Sequence, residues 1–389
     1  MHATSDMKGA QWQLLLATVS FGLCFAAWGL ISAFAPAFRE EFGLGGQATA
    51  LLIAVPVLLG SLARLPMGML TDRFGGRLVF TFLFAAVAIS AAIVPLADSF
   101  GTLLLFAFLL GLAGSSFAVG VGFVSPWFPP ARQGTALGIY GLGTMGQSAA
   151  VFLGPVIAAA VGRDAVFLGL AVIIAAWAAV FAATARNALS TRRPATIAAM
   201  VTVLTREPLA WVLAAFYFLT FGGFVAFSVY LPTLLRDDFG LTLADAGFRA
   251  AGFVVLATLM RPVGGVLADR HGGATVLWWV FLAIMPFSLL LTWESMVPFT
   301  IGALATAALL GLGNGAVFKL VPEHFPGSTA TVTGLVGAVG GLGGFFPPLV
   351  LGYFRDRTGE VWPGFVLLVL TVGALWVLNS RVLLRPRRA

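Results

Sequence analysis

The chain has 389 residues, of which 60% are hydrophobic and 10% are charged, and its mean hydropathy is +1.00. Soluble globular proteins carry about 25% charged residues, so this composition excludes a water-soluble body and predicts an all-α integral membrane protein. The formal net charge of +7 does not require a nucleic-acid partner, because a membrane protein concentrates basic residues on one side of the bilayer.

Twelve apolar runs have the length of about 20 residues that a helix needs to cross a bilayer. These runs predict transmembrane helices at residues 12–36, 48–71, 78–96, 101–127, 134–161, 165–186, 208–235, 243–268, 274–293, 298–321, 329–354 and 361–383. With both termini in the cytoplasm, thirteen Lys and Arg residues fall on the inner side and six on the outer side. This asymmetry predicts a multi-pass protein of the cell (inner or plasma) membrane with cytoplasmic termini. The protein is then surrounded by membrane lipid, and we expect it to be a monomer.

The longest polar connection, residues 187–207, divides the chain into an N-terminal six-helix half (1–186) and a C-terminal six-helix half (208–389). The halves repeat each other. At a constant offset of 197 residues, Arg64 pairs with Arg261 and Asp72 with Asp269. Two such parallel repeats form a transporter architecture in which the substrate binds where the repeats meet.

The turns "GMLTDRFGGR" (68–77) and "GVLADRHGG" (265–273) resemble the signature loop of the major facilitator superfamily. Each needs a small residue at a helix crossing, a carboxylate near a helix end and a cytoplasmic cation. The resemblance implies the major facilitator fold of twelve helices in two pseudo-symmetric halves. It also implies conformational roles for Asp72, Arg73, Asp269 and Arg270.

Arg64 and Arg261 stand inside apolar spans, where a charged residue costs roughly 2.5 to 3.5 kcal/mol on insertion scales. Snorkelling to the inner interface or a structural ion pair would explain each of them. However, two buried guanidiniums related by the repeat would repel each other unless an anion lay between them. Because a guanidinium presents a planar fork of donors, the pair predicts a small anionic substrate.

The glycine-rich stretches 114–146, 311–327 and 334–352 resemble the nitrate/nitrite porter family of the major facilitator superfamily. This resemblance implies that Arg64 and Arg261 bind the anion and that Phe117, Tyr217 and Phe221 cover its faces. Ordinary packing is the alternative for each ring. Where the family usually has an asparagine in the fifth span, this chain has Thr144, which offers a hydroxyl instead of an amide.

Glycines in the fifth and eleventh spans allow close helix approach and sliding during a conformational change. The glycines to which we assign this role are Gly138, Gly141, Gly143, Gly337 and Gly340. Lys319 is the third cation within a span. It either guides anions at the cytoplasmic mouth or snorkels and meets Glu323 one turn later.

Neither a metal site nor a cofactor is expected. Cys24 is the only cysteine, and the three histidines are scattered at span ends. The dinucleotide-like pattern that begins at Gly141 lies inside a membrane span with no preceding strand. No nucleophile with an adjacent base and no ATP-binding loop is visible, so we expect a gradient-driven transporter and not an enzyme.

The leading hypothesis is a secondary transporter of nitrate and nitrite that works by alternating access and exchanges one anion for the other. A proton-coupled nitrate symporter and a transporter of another small organic anion, such as a monocarboxylate, are the alternatives. A receptor that keeps a transporter body is a third possibility, although it has no appended cytoplasmic domain to signal through.

Overall fold

The computed structural model describes residues 2–188, 196–344 and 346–384, and the regular structure within these ranges is helical throughout. The helices are α1 (His2–Ala33), α2 (Ala35–Glu41), α3 (Gly46–Leu62), α4 (Arg64–Phe74), α5 (Gly76–Ile93), α6 (Phe100–Leu110), α7 (Ser116–Val124), α8 (Pro130–Tyr140), α9 (Met145–Val161), α10 (Arg163–Thr184), α11 (Ile197–Arg206), α12 (Pro208–Phe239), α13 (Leu243–His271), α14 (Gly273–Leu290), α15 (Met296–His324), α16 (Thr329–Gly343), α17 (Phe346–Thr358) and α18 (Trp362–Val382).

Within the described ranges, eleven helical segments are long and apolar enough to cross a membrane. They coincide with eleven of the twelve predicted spans. The remaining predicted span, 329–354, comprises α16 and α17 on either side of Phe345, a residue outside the described ranges. The predicted linker 187–207 is described in part. Residues 189–195 lie outside the described ranges, and α11 occupies most of residues 196–207.

Several spans are interrupted near the predicted site residues. The second span breaks at Ala63, so that Arg64 is the first residue of α4. Pro66 contributes to this break, because it cannot donate the backbone hydrogen bond that a continuous helix needs at that position. In the fourth and fifth spans, the tighter 3₁₀ turns Gly111–Ser115 and Gly141–Thr144 separate two α-helical parts.

The two signature turns have the same backbone geometry. Gly75 ends α4 with φ of +83°, and Gly272 ends α13 with φ of +84°. Both values lie in a region that glycine enters without steric cost. Since these glycines are 197 residues apart, the repeat seen in the sequence recurs in the backbone.

The chain divides into two compact units. Unit 1 comprises Met1–Phe128, Leu142–Arg206 and Phe325–Ala338, and within it α1 packs against α7 and α9 while α5 packs against α10. Unit 2 comprises Pro129–Gly141, Glu207–His324 and Val339–Ala389, and within it α15 packs against α8, α12, α13 and α14. Each unit contains one of the two arginines.

Candidate functional site

The guanidinium of Arg64 is buried in unit 1 and bound to backbone carbonyls. The residue is 5% exposed. Its Nε donates to the carbonyl oxygen of Gly114 at 3.1 Å, and its Nη1 donates to that of Gly337 at 2.5 Å. Two carbonyls from separate segments therefore hold the guanidinium inside the unit, away from the position that snorkelling would give it.

The guanidinium of Arg261 is buried in unit 2 in a matching way. The residue is 3% exposed, and its Nη1 donates to the carbonyl oxygen of Gly141 at 3.3 Å. Gly141 is the repeat partner of Gly337, at an offset of 196 residues. The two arginines therefore make equivalent hydrogen bonds. Arg64 of the first repeat donates to Gly337 of the second, and Arg261 of the second donates to Gly141 of the first.

Arg261 retains unused donors. Its Nε and Nη2 have no hydrogen-bond partner among the residues that the structure describes. Its guanidinium lies 5.5 Å from the ring centres of both Phe221 and Phe224. A buried N–H group without an acceptor costs free energy, and the positive charge of the guanidinium attracts an anion. This arrangement is chemically suited to bind a small oxyanion.

The predicted aromatic pair of α12 lies on one helix face. The rings of Tyr217 and Phe221 stack with centres 4.8 Å apart and planes 5° apart. The Tyr217 hydroxyl is a hydrogen-bonding neighbour of the Arg261 guanidinium. Phe318 of α15 meets Tyr217 edge-on at 4.6 Å. The structure therefore places Tyr217, Phe221 and Arg261 together in unit 2.

Phe224 and Phe318 were not predicted from the sequence. Phe224 follows Tyr217 and Phe221 at helical spacing (i, i+4, i+7), and this periodicity was a usable signal for the shared face. Phe318 lies on another helix, and nothing in the local sequence indicated that it would contact Tyr217.

Phe117 and Thr144 are both buried in unit 1, at 5% and 6% exposure. The Phe117 ring lies 5.4 Å from that of Phe21 on α1. Phe21 also lies against Gly143, the residue before Thr144. The structure thus brings Phe117 and the turn that carries Thr144 to the same residue of α1.

The predicted conformational glycines lie against residues of the candidate site. A methyl group at Gly340 would stand 2.2 Å from the Tyr217 ring, which no real contact allows. The other contacts are Gly138 and Gly141 against Arg261, Gly337 against Arg64 and Gly143 against Phe21.

Each signature aspartate binds backbone N–H groups of another helix, Asp72 in the first turn of α16 and Asp269 in the second turn of α8. Asp72 accepts hydrogen bonds from the backbone of Ala330 at 3.1 Å and from the backbone and hydroxyl of Thr331 at 2.7 Å each. Asp269 accepts them from Gly134 at 2.9 Å and from the backbone and hydroxyl of Thr135 at 2.7 Å each. Since Asp72 binds the first turn of α16, its carboxylate is also favoured by the positive end of the helix dipole. The neighbouring Arg73 and Arg270 are exposed.

Lys319 pairs with Asp269 rather than with Glu323. Its Nζ lies 3.2 Å from a carboxylate oxygen of Asp269 and also contacts the carbonyl of Pro130. Glu323 was the partner expected from the sequence because it lies one turn away, whereas Asp269 lies on another helix. At the equivalent position unit 1 has Gly122, where a methyl group would stand 2.4 Å from the side chain of Ala330.

Among the described residues, no group of three or more His, Cys, Asp or Glu side chains could hold a metal ion. The groups that the structure gathers around Arg64 and Arg261 are carbonyls, aromatic rings, hydroxyls and glycine backbone. Such groups can bind a ligand through hydrogen bonds and ring contacts and release it again.

The chain matches known membrane transporters along nearly its whole length. The family model described as Major Facilitator Superfamily matches residues 16–348 and 213–389. In solved structures, the human organic anion transporter MFSD10 (TETRAN) superposes with a TM-score of 0.80 at 16% identity, covering 95% of this chain and 99% of that one. A variant of the Escherichia coli fucose:proton symporter FucP superposes with a TM-score of 0.75 at 17% identity, covering 95% and 98%.

Curated relatives are closer in sequence. The nitrite extrusion protein of Bacillus subtilis is 37% identical, over 94% of this chain and 93% of that protein. The probable nitrate transporter NarT of Staphylococcus epidermidis is 36% identical, over 94% of both chains. The probable nitrate/nitrite antiporter NarK1 of Thermus thermophilus is 35% identical, over 94% of this chain and 90% of that protein. Together with the duplicated signature turns and the buried arginine of each unit, these matches show that the chain belongs to the nitrate/nitrite porter family of the Major Facilitator Superfamily.

Proposed function

We propose that this protein transports nitrate and nitrite across the cell membrane by alternating access, exchanging one anion for the other. The observation that carries the proposal is the guanidinium of Arg261, which is buried against the rings of Phe221 and Phe224 with two donors unused by the described residues. Relatives named for nitrate transport, nitrite extrusion and nitrate/nitrite antiport support the choice of anion.

Arg64 and Arg261 are the proposed ligands of the anion. Nitrate and nitrite are planar oxyanions, and the planar fork of a guanidinium donates to two of their oxygens at once. Flat rings such as Tyr217 and Phe221 fit against a planar anion and leave little room for a tetrahedral one. Phe117 and Thr144 are proposed to line the substrate path in unit 1.

Exchange follows from the charge of the carrier. Two buried guanidiniums carry a charge of about +2, and closing low-dielectric walls around them is unfavourable. A bound monoanion halves this charge, so the loaded carrier should reorient faster than the empty one. That difference in rate is the condition for obligate exchange. A symporter instead carries a titratable group along its path. In the described part of the chain, Asp72 and Asp269 lie near helix ends and accept helix N–H groups instead.

The signature aspartates, arginines and glycines are proposed to act in the conformational change. Alternating access would release and rebind the helix N–H groups that Asp72 and Asp269 hold. Substitution of these residues should therefore lower the transport rate more than the affinity for nitrate.

The test is nitrate entry into proteoliposomes with and without internal nitrite, repeated with an inward proton gradient. Exchange predicts that internal nitrite stimulates nitrate entry at least several-fold and that the proton gradient has no effect. If nitrate enters nitrite-free vesicles and this entry depends on the proton gradient, the protein is a proton symporter and not an exchanger. Vesicles that take up lactate and not nitrate would contradict the assignment of nitrate as substrate and favour an organic anion.

We also propose that both termini face the cytoplasm, as the distribution of basic residues favours. A single cysteine placed at Thr4 in a Cys24→Ser background reports this orientation. It should resist a membrane-impermeant thiol reagent in intact cells and react after permeabilisation. Labelling in intact cells would reverse the topology.

A further inference from the structure

Asn314 of α15 is a buried amide whose hydrogen-bonding capacity is unused. The residue is 2% exposed, and neither its Nδ2 nor its Oδ1 is paired within the described residues. By contrast, the Nδ2 of Asn379, which is 0% exposed, donates to the carbonyl of Ala274 at 2.9 Å. An unpaired buried amide costs free energy, so its retention calls for an explanation outside the packing of the chain.

Asn314 lies at the level of Arg261. The next residue, Gly315, contacts α13 so closely that a methyl group there would stand 2.3 Å from the carbonyl oxygen of Arg261 and 2.6 Å from the amide nitrogen of Gly265. No side chain could separate the two helices at this point. The backbones of α13 and α15 therefore meet at Arg261, beside Asn314.

Asn314 also lies at the level of the aromatic stack on α12. Leu310, one turn before it on the same helix face, lies against Gly223. Phe318, one turn after it, meets the Tyr217 ring at 4.6 Å. Since residues four apart share a helix face, Asn314 occupies the level between these contacts. At this level Gly313, the residue before it, lies against Thr220 of α12, next to Phe221.

We propose that Asn314 is a further ligand of the transported anion, donating its amide N–H groups to an oxyanion oxygen beside Arg261. This assignment rests on the proposed function and adds a specific donor to it. An amide offers two donors, which an anion with several oxygens can use together with the Nε and Nη2 of Arg261 that the described residues leave unused. The repeat partner of Asn314 is Phe117, so one half presents a ring where the other presents an amide.

The test uses the purified full chain with Asn314→Leu, Asn314→Ser and a control, Ser288→Ala. Ser288 is also buried in unit 2 with a hydroxyl unpaired among the described residues, but it lies near the C-terminal end of α14. Two quantities are measured for each protein: the Tm without ligand, and the Kd for nitrate from the rise in Tm as sodium nitrate replaces sodium chloride.

Asn314→Leu is expected to raise the Kd for nitrate about tenfold or more, since a hydrogen bond to a charged group is lost. Its Tm without ligand should equal or exceed that of the wild type, because leucine removes an unpaired amide at similar volume. Asn314→Ser keeps one donor, so its Kd for nitrate should fall between those of the wild type and Asn314→Leu. Ser288→Ala should bind nitrate as the wild type does.

A wild-type Kd in both Asn314 variants would overturn the assignment, and so would a lower Tm with an unchanged Kd, which marks a structural amide. These results leave the proposed function intact, because the wild type still responds to nitrate. A wild type that does not respond to nitrate would overturn the proposed function and the assignment together.

Discussion

Lys319 and Asp269 form an almost fully buried ion pair in unit 2, with 3.2 Å between Nζ and a carboxylate oxygen and side-chain exposures of 7% and 6%. The Asp269 carboxylate also accepts three hydrogen bonds from Gly134 and Thr135. Removing one partner of such a pair leaves the other charge buried without compensation.

Lys319→Met should therefore destabilise the protein by about 3 kcal/mol, since it keeps an unbranched side chain and removes the charge that balances Asp269. The loss of stability is measured as a lower Tm of the purified Lys319→Met protein. Adding Asp269→Asn should recover part of this loss.

The exposed pair of Arg249 and Asp245, with 42% exposure on each side, supplies the matched control. Arg249→Met should change stability by no more than about 0.5 kcal/mol. Equal Tm values for the Lys319 and Arg249 variants would mean that the buried pair contributes nothing specific.

Arg64→Lys and Arg261→Lys should each weaken nitrate binding by about tenfold or more and reduce exchange accordingly, although the charge is kept. Arg64 reaches Gly114 and Gly337 from two separate nitrogens of a planar group. Lysine carries its three donors on one nitrogen and cannot reproduce this planar fork. Nitrate uptake by proteoliposomes measures the effect.

Arg381→Lys is the control for these variants, because Arg381 is an exposed arginine in the last turn of α18 and lies outside both signature turns. It should transport nitrate at close to the wild-type rate. Near-normal uptake by both buried variants would refute the role of the guanidinium fork.

The rings should govern selectivity. Leucine in place of Phe117, Tyr217 or Phe221 keeps apolar volume but not a flat face, so sulfate and acetate should compete with nitrate several-fold better in these variants. Inhibition of nitrate uptake by each anion measures the change. Phe82→Leu, at a ring that is 68% exposed, should leave the inhibition profile unaltered. Identical profiles in all four proteins would leave the rings as ordinary packing.

Gly340→Ala should disturb the site through Tyr217. The added methyl group would stand 2.2 Å from the ring, so the tyrosine or α16 has to move, at a stability cost of about 1 to 3 kcal/mol. The Tm should fall and the Kd for nitrate should rise. Gly252→Ala in α13, where nothing lies within 4 Å, should leave both unchanged or raise the Tm slightly. A Gly340→Ala protein with wild-type values would show that the glycine is not needed for this close approach.

The helical spans were predictable because each is a long apolar run, and the repeat was predictable because Arg64 and Arg261 recur at a fixed offset. The pairing of Tyr217 with Phe221 followed from helical periodicity alone. The breaks at Ala63 and within the fourth and fifth spans were not predicted, since a hydropathy window averages over single prolines and glycines.

Contacts between helices distant in sequence could not be predicted from one chain. Lys319 has Glu323 one turn away, yet it pairs with Asp269, some fifty residues earlier in the sequence. Asn314 gave no local signal either, because a single asparagine in a glycine-rich span reads equally well as packing. Its lack of a partner among the described residues became visible only with the surrounding helices in place.

Gly122 limits how the two halves can evolve. A duplicated gene starts with identical halves, and since then one half has gained or lost the lysine now found at 319. A methyl group at 122 would already collide with Ala330 at 2.4 Å and with Thr71 at 2.9 Å. A lysine at this position is therefore destabilising unless room is first made elsewhere. Packing therefore maintains the asymmetry of the duplication, because a lysine at 122 needs the space that Thr71 and Ala330 now occupy.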